Sequence, residues 1–266
     1  MKRRDVLATA AVAAASLSAP ARAQQRKVVK FVPQADLALL DPVFTTGLVT
    51  RNHGFMVYDQ LYGLDDNFLP QPQMVEGHVV ENDGKTVTIT LRQGLKFHDG
   101  EPVRAQDVVP SINRWMRRNP FGQKLATVTD TIEVVDDRRI RFKLKRPFPL
   151  LFKALGQVSN SPAFIMPQRL AETDPFTQVR EAIGSGPFKF KADEFNSGSL
   201  VVYERNADYV PTPTGTPSLT AGPKVAYFDR IEWNIITDAS TAAAALQTGE
   251  IDWYEQPPPE IQMLLR

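Results

Sequence analysis

The 266-residue chain is 42% hydrophobic and 23% charged, with a formal net charge of +1, a composition that fits one large or two ordinary globular domains and excludes a disordered polymer. Its Lys and Arg are scattered, so it lacks the basic footprint of a nucleic-acid or membrane-surface binder. It has no cysteine, which excludes a disulfide framework, a thiolate metal site and a Cys nucleophile.

The first segment, "MKRRDVLATAAVAAASLSAPARA", has a basic start, an Ala-rich apolar middle and a small-x-small end, which predicts a secretory signal peptide over residues 1–23, cut after Ala23. Arg3-Arg4 before a weakly apolar run points to the twin-arginine export route. The run from Val6 to Ala19 is shorter than the ~20 residues of a spanning helix. Cleavage removes Lys2, Arg3, Arg4, Arg22 and Asp5, leaving 27 basic and 29 acidic residues and a net charge of −2.

Past the signal, "KVVKFVP" predicts a short strand, and "ALLDPVFTTG" carries Asp-Pro turn chemistry. A mostly apolar stripe of Phe55, Met56, Val57, Tyr58 and Leu61 predicts a helix from about Thr50 to Leu61. The following "LYGLDDNFLPQPQMVEGHVV" is expected to be a loop, punctuated by Asp and Pro. In "TVTITLR", Val87, Ile89 and Leu91 alternate with Thr86, Thr88, Thr90 and Arg92, the period-two mark of a half-buried strand. The Asp-Gly of "ENDGK" predicts that this strand pairs with "HVVEN".

A helix is expected around Val108 to Arg117, although Pro110 is tolerable only in a first turn or at a kink. A second hairpin joins "TIEVV" to "IRFKLK", with Ile140, Phe142 and Leu144 on one face. "PFPLLFKAL" predicts another helix. "GSGPFKFKADEF" and "LVVYER" predict a third hairpin, and "VPTPTGTPSLTAGP" a surface loop. The chain then predicts strand "RIEWNII", a helix capped by Asp238 and ended near Gly249, and strand "IDWYEQ", a β-α-β unit.

Chemistry-bearing motifs are sparse. His98, in "GLKFHDGEPVRAQDV", stands beside Asp99 and two further acids, but it sits at an Asp-Gly turn and is expected to be an exposed, structural turn histidine. His53 and His78 are distant and each stands alone, so no zinc ligand set is expected. "GSGP" lacks the strand-to-helix setting of a nucleophile elbow. No phosphate-binding glycine loop is present. Paired carboxylates could serve a glycan hydrolase, but the sequence identifies no pair. Trp115, Trp233, Trp253 and Tyr254 each suit a core more readily than a ligand stack.

Taken in order, "LDP", "VYDQLYGLDDNFLPQPQMVEGHVVENDGKTVTITLRQGLKFHDGEPVRAQDVVPSINRW", "GSGPFKF", "LVVYERNADYV" and "FDRIEWNIITDASTAAAALQTGEIDW" resemble the extracellular solute-binding proteins of family 5, the peptide, oligopeptide and nickel receptors of ABC importers. The resemblance covers nearly all of the chain after the signal. It implies an α/β, periplasmic-binding-protein-like (type II) lobe with an inserted mixed α+β subdomain, and hinge closure on a ligand between two lobes. Residues 24–48 and 183–266 would form lobe one, and residues 49–182 its subdomain. The chain stops at Arg266, where family members continue through the second lobe, so a fragment lacking that lobe is expected. Arg104 and Pro110 replace residues usual in the family, so their helix is expected to start late or kink.

By the same resemblance, Thr45, Thr46, Gly47 and Leu48 would pair with ligand backbone, a form of β-strand addition. Asn160, Ser161, Trp253 and Tyr254 would approach the ligand. No catalytic residue, metal or cofactor is expected. The implied function is a periplasmic monomer that captures a small solute, most simply a short peptide, and delivers it to an inner-membrane ABC permease. The rival readings are an exported glycan hydrolase and a truncated product without function.

Overall fold

The computed structural model describes residues 27–158 and 161–265; the expected signal peptide lies outside them. "KVVKFVP" supplies strand β1 (Val28–Val32), and the Asp-Pro turn leads into helix α1 (Leu48–Val57). The helix starts earlier than the apolar stripe suggests and stops short of Leu61. Its last residue is claimed by a tertiary contact, because the Val57 carbonyl accepts the Gly186 N–H at 2.8 Å. Tyr58 then turns extended, with φ −112° and ψ 165°.

The expected loop after Leu61 is instead structured. Strand β2 (Asp59–Gln60) is followed by β3 (Tyr62–Leu64) and β4 (Pro70–Pro72), an antiparallel hairpin closed by Asp65, whose Oδ1 accepts the N–H groups of Asn67 and Leu69 at 2.9 and 3.0 Å. The two prolines hide this strand in the sequence, because they are allowed only where a ladder donor is not needed.

Strands β5 (Val75–Glu81) and β6 (Thr86–Leu91) pair as expected, and Val87, Ile89 and Leu91 are buried. Helix α2 (Ala105–Arg118) starts before Val108, not late. The Asp107 carboxylate accepts the Arg104 N–H at 2.8 Å and holds the first turn without a Thr-type cap. Pro110 sits in the second turn, where its missing N–H leaves the Gln106 carbonyl without its helical donor. A further helix, α3 (Pro120–Val128), follows at once. Asn119 caps it, accepting from the Phe121 and Gly122 N–H groups at 2.8 and 3.1 Å, with Pro120 in the first position.

Strands β7 (Thr129–Asp136) and β8 (Arg139–Leu144) complete a four-stranded antiparallel sheet in the order β5-β6-β8-β7. Its inner face, Val87, Ile89, Leu91, Ile140, Phe142 and Leu144, joins Val108, Ile112 and Trp115 of α2 in one core. Each such side chain contributes about 1.5–3 kcal/mol by leaving water. Helix α4 (Leu151–Leu155), strand β9 (Phe164–Ile165), which pairs with β2, and helix α5 (Gln168–Ala171) lead away from this sheet.

Strands β10 (Phe188–Phe190) and β11 (Leu200–Arg205) form the third hairpin, and β12 (Arg230–Asn234), helix α6 (Ala239–Gln247) and β13 (Trp253–Tyr254) the β-α-β unit, before a short α7 (Pro259–Leu264). Asp238 caps α6 by accepting from the Thr241 N–H at 2.7 Å, and Gly249 past its end has φ +74°. These strands make a five-stranded sheet, β10-β11-β12-β1-β13, in which β1 lies parallel to both β12 and β13.

The "GSGP" segment and His98 join the two sheets. A Cβ on Gly184 or Gly186 would stand 2.1 or 2.8 Å from the Val57 carbonyl oxygen, so only glycine lets these backbones meet. His98 is not the exposed turn residue expected from sequence. Its N–H donates to the Gly184 carbonyl at 2.8 Å, and its Nε2 lies 3.0 Å from the Gly186 carbonyl. Burial pushes its pKa down to about 4. His53, fully buried beside the Tyr203 hydroxyl at 2.9 Å, is pushed down to about 3, also by burial.

Both rings are therefore neutral in the folded state, whereas the unfolded chain protonates them near the ordinary histidine value of about 6.5. Proton uptake then favours unfolding, so stability is full above about pH 6.5 and declines as pH falls toward 4 for His98 and 3 for His53. Urea unfolding midpoints measured across this range should fall steadily with acid. A profile that stays flat from neutral pH down to about pH 4 would contradict the neutral state of the two rings.

Candidate ligand-binding site

Open α/β sheets hold ligands outside the carboxyl ends of their parallel strands. Here those ends belong to β12, β1 and β13, and at the last two Phe31 pairs with Trp253 and Val32 with Tyr254. Just beyond, the Glu255 N–H donates to the Val32 carbonyl at 3.0 Å. The Glu255 carboxylate then ties three segments together: it accepts the Gln34 N–H at 2.9 Å on Oε2 and the Asn52 side-chain amide at 2.8 Å on Oε1. This fixes α1 across the end of the sheet. On α1, Val49, Thr50, His53, Gly54 and Val57 are buried, and Gly54 sits so close to the Phe164 ring that a Cβ would come within 2.5 Å of it. Leu48, Arg51, Asn52, Phe55 and Met56 form the half-buried opposite stripe.

The segment before α1 is held by a buried ion pair. Arg114 on α2 meets Asp41 through Nη2–Oδ2 at 2.7 Å and Nη1–Oδ1 at 3.2 Å, with both side chains at or below 1% exposure. Asp41 also accepts the N–H groups of Val43, Phe44 and Val179 at 2.9 to 3.1 Å, and Arg114 also donates to the Thr173 and Thr177 carbonyls at 3.3 and 2.9 Å. Arg118 donates to the Phe44 carbonyl at 2.5 Å and lies over the rings of Phe44 and Phe176, 5.0 and 4.9 Å from their centroids. The Ser161 hydroxyl donates to the Thr45 carbonyl at 2.9 Å, and the Gly47 N–H to Thr45 Oγ1 at 3.1 Å.

Among the described residues, Thr46, which is exposed, makes no backbone hydrogen bond. Thr46 thus lies in a short non-helical segment held before it at Phe44 and Thr45 and after it at Gly47, and its N–H and carbonyl have no hydrogen-bond partner among the described residues. Trp253 at the facing strand end is 59% exposed and braced edge-on by Phe31 at 4.9 Å; Tyr254 beside it is half-buried.

Of the residues singled out in the sequence, Thr45 to Leu48, Trp253 and Tyr254 thus border one end of the five-stranded sheet, linked through Asn52 and Glu255. Ser161 is 4% exposed and stands behind Thr45 as a support rather than at the surface. Asn160 lies outside the described residues. Sequence reasoning missed Gln34, Arg51, Asn52 and Glu255; the helical spacing of Leu48, Arg51, Asn52 and Phe55 was available as a signal. Among the described residues no group of three or more His, Cys, Asp or Glu could hold a metal ion. A separate groove of about 420 Å³ lies between Phe97–Asp107 and Pro167–Glu172, lined by Asp99, Glu101, Arg104, Asp107, Arg169 and Glu172.

The model of the bacterial extracellular solute-binding proteins, family 5, matches residues 70–266. The chain belongs to that family. Among curated family 5 relatives it is similar to the "Probable peptide ABC transporter periplasmic-binding protein y4tO" of Sinorhizobium fredii, 40% identical over 272 residues that cover 100% of this chain and 50% of the relative. It is also similar to the glutathione-binding protein GsiB of Salmonella typhimurium, 30% identical over 258 residues covering 93% and 46%. Its fold matches the dipeptide-binding protein of a Pseudoalteromonas species solved with Met-Leu, with a TM-score of 0.72, 20% identity, and coverage of 90% and 49%. The chain therefore has the α/β fold of the type II periplasmic binding proteins, and spans about half the length of the curated relatives it matches.

The buried pair gives a direct test of how the site is held. Asp41→Asn leaves the Arg114 guanidinium buried against a neutral partner and should cost about 3–5 kcal/mol in urea unfolding. A loss under about 1 kcal/mol would show that the pair does not organise the segment.

Proposed function

We propose that the chain takes part in capturing a short peptide for an ABC importer, with the peptide lying along Thr45–Leu48. The observation that carries this reading is the Thr46 backbone: an N–H and a carbonyl with no partner among the described residues, on a segment whose preceding residues are fixed by Asp41, Arg118 and Ser161. An unpaired donor and acceptor on the exposed Thr46 suit main-chain pairing with an extended peptide. Such pairing is indifferent to the ligand's side chains, and bridging waters accommodate them. Trp253 offers an apolar face with a polar N–H at the opposite border. The relatives' names, peptide and glutathione, belong to the same chemical class.

On this reading residues 24–48 and 183–266 form one lobe and residues 49–182 a subdomain carried on it; the five-stranded sheet, drawn from 28–32 and 188–254, supports the division. Residues 1–23 direct export to the periplasm by the twin-arginine route, the protein acts as a monomer, and the peptide passes unchanged to an inner-membrane permease.

Tryptophan fluorescence tests this. Trp115 and Trp233 are 0% and 3% exposed, so a ligand-induced change must come mainly from Trp253. Titrating trialanine should give a saturable shift in emission that Trp253→Phe abolishes while heat of binding persists. Saturable binding of simple sugars with none of peptides, or formation of a hydrolysis product from glycans, would overturn the peptide-receptor reading.

A further inference from the structure

Arg51 lies one helical turn past the Thr45–Leu48 segment, its N–H donating to the Gly47 carbonyl at 2.9 Å. Its side chain differs from those of the other arginines that border the core. Arg92, Arg114, Arg118 and Arg230 each donate to a carbonyl or carboxylate within the protein. The Arg51 Nε, by contrast, is buried with no hydrogen-bond partner, and among the described residues no acid lies within ion-pair distance of its guanidinium.

The acid whose charge reaches Arg51 is Glu255. Each of its oxygens already accepts a bond from a neutral donor, Oε1 from Asn52 and Oε2 from the Gln34 N–H, and those two bonds are what hold α1 to the sheet. Turning Glu255 onto Arg51 would break that tie. The chain thus keeps a cation at the border of its ligand segment and engages the neighbouring carboxylate elsewhere. A dry guanidinium N–H without an acceptor is unfavourable until one is supplied. Burial lowers the pKa of Arg51 against the opposing pull of Glu255, in keeping with a partly desolvated cation.

We propose that Arg51 is a specificity-determining residue that binds a carboxylate of the ligand. This rests on the peptide-binding reading of the same site. A guanidinium offers two parallel N–H groups that match the two oxygens of a carboxylate, which gives both charge and orientation. The carboxylate can be a peptide's C-terminus or an acidic side chain; the chemistry at Arg51 is the same.

Calorimetry with four probes separates these sources: trialanine against its C-terminal amide, and Ala-Glu-Ala-amide against Ala-Gln-Ala-amide. The carboxylate form of one pair should bind about ten-fold or more tightly than its neutral counterpart, and the responsive pair identifies the source. In Arg51→Gln the preference should shrink to within about two-fold through loss of affinity for the charged peptide alone, with the neutral peptide serving as a folding control. Arg51→Lys, which keeps charge but not the two-pronged geometry, should fall between. Equal binding of acid and neutral forms by the unaltered chain, or a preference that survives Arg51→Gln, would overturn the role of Arg51 and leave the receptor reading intact. If none of the four peptides binds, the receptor reading fails, and the assignment fails with it.

Discussion

The pairing of Asp41 with Arg114 is the constraint on which the arrangement of the site depends. Both groups are out of contact with water, and two opposite charges in that setting are tolerable only when nearly every donor and acceptor is met. Here they are: Asp41 serves three backbone N–H groups as well as the guanidinium, and Arg114 serves two carbonyls as well as the carboxylate. The pair therefore joins the turn after β1, helix α2 and the 173–179 segment at one point. Because the turn is held from Asp41 through Phe44, the next residues emerge in one direction, and α1 begins where Gly47 ends. A second buried carboxylate works similarly farther away. Asp59 accepts from Lys224 at 2.6 Å and from the Tyr209 hydroxyl at 2.9 Å, fastening the 206–224 loop to β2.

Burial and placement of the elements are divided between different groups. The apolar core under the four-stranded sheet supplies most of the burial, and polar contacts decide how the elements meet. Glu255 shows the division at small scale. Its two accepted bonds position α1, while the Nε of nearby Arg51 has no hydrogen-bond partner among the described residues.

Much of the local structure was legible in the sequence, for identifiable reasons. The alternation in "TVTITLR" and "IRFKLK" and the Asp238 and Gly249 signals of α6 are local rules, and the structure obeys them. What was not legible depended on partners far along the chain. Helix α1 stops at Val57 because Gly186 takes its carbonyl, and His98 is half-buried because Gly184 and Gly186 lie against it; neither fact has a signature within its own window. The β3–β4 hairpin was masked by Pro70 and Pro72, and Asn119-Pro120 was a cap signal for α3 within reach of sequence reasoning. The site shows the same split. Thr45–Leu48 and the Trp253–Tyr254 pair came from family resemblance. The roles of Gln34, Arg51, Asn52 and Glu255 come from contacts across more than 200 positions for Gln34 and Asn52 with Glu255, which a periodicity argument cannot see.

The central claim is the location of the site: that ligand meets the protein at the end of the five-stranded sheet, between the start of α1 and the end of β13. Amide hydrogen exchange with and without saturating trialanine tests it most directly. Slower exchange is expected at Thr46 and through residues 45–52 and 253–255, with the four-stranded sheet and the groove between Phe97–Asp107 and Pro167–Glu172 unchanged. Protection centred on that groove, with Thr46 exchanging as fast as in the free protein, would contradict it.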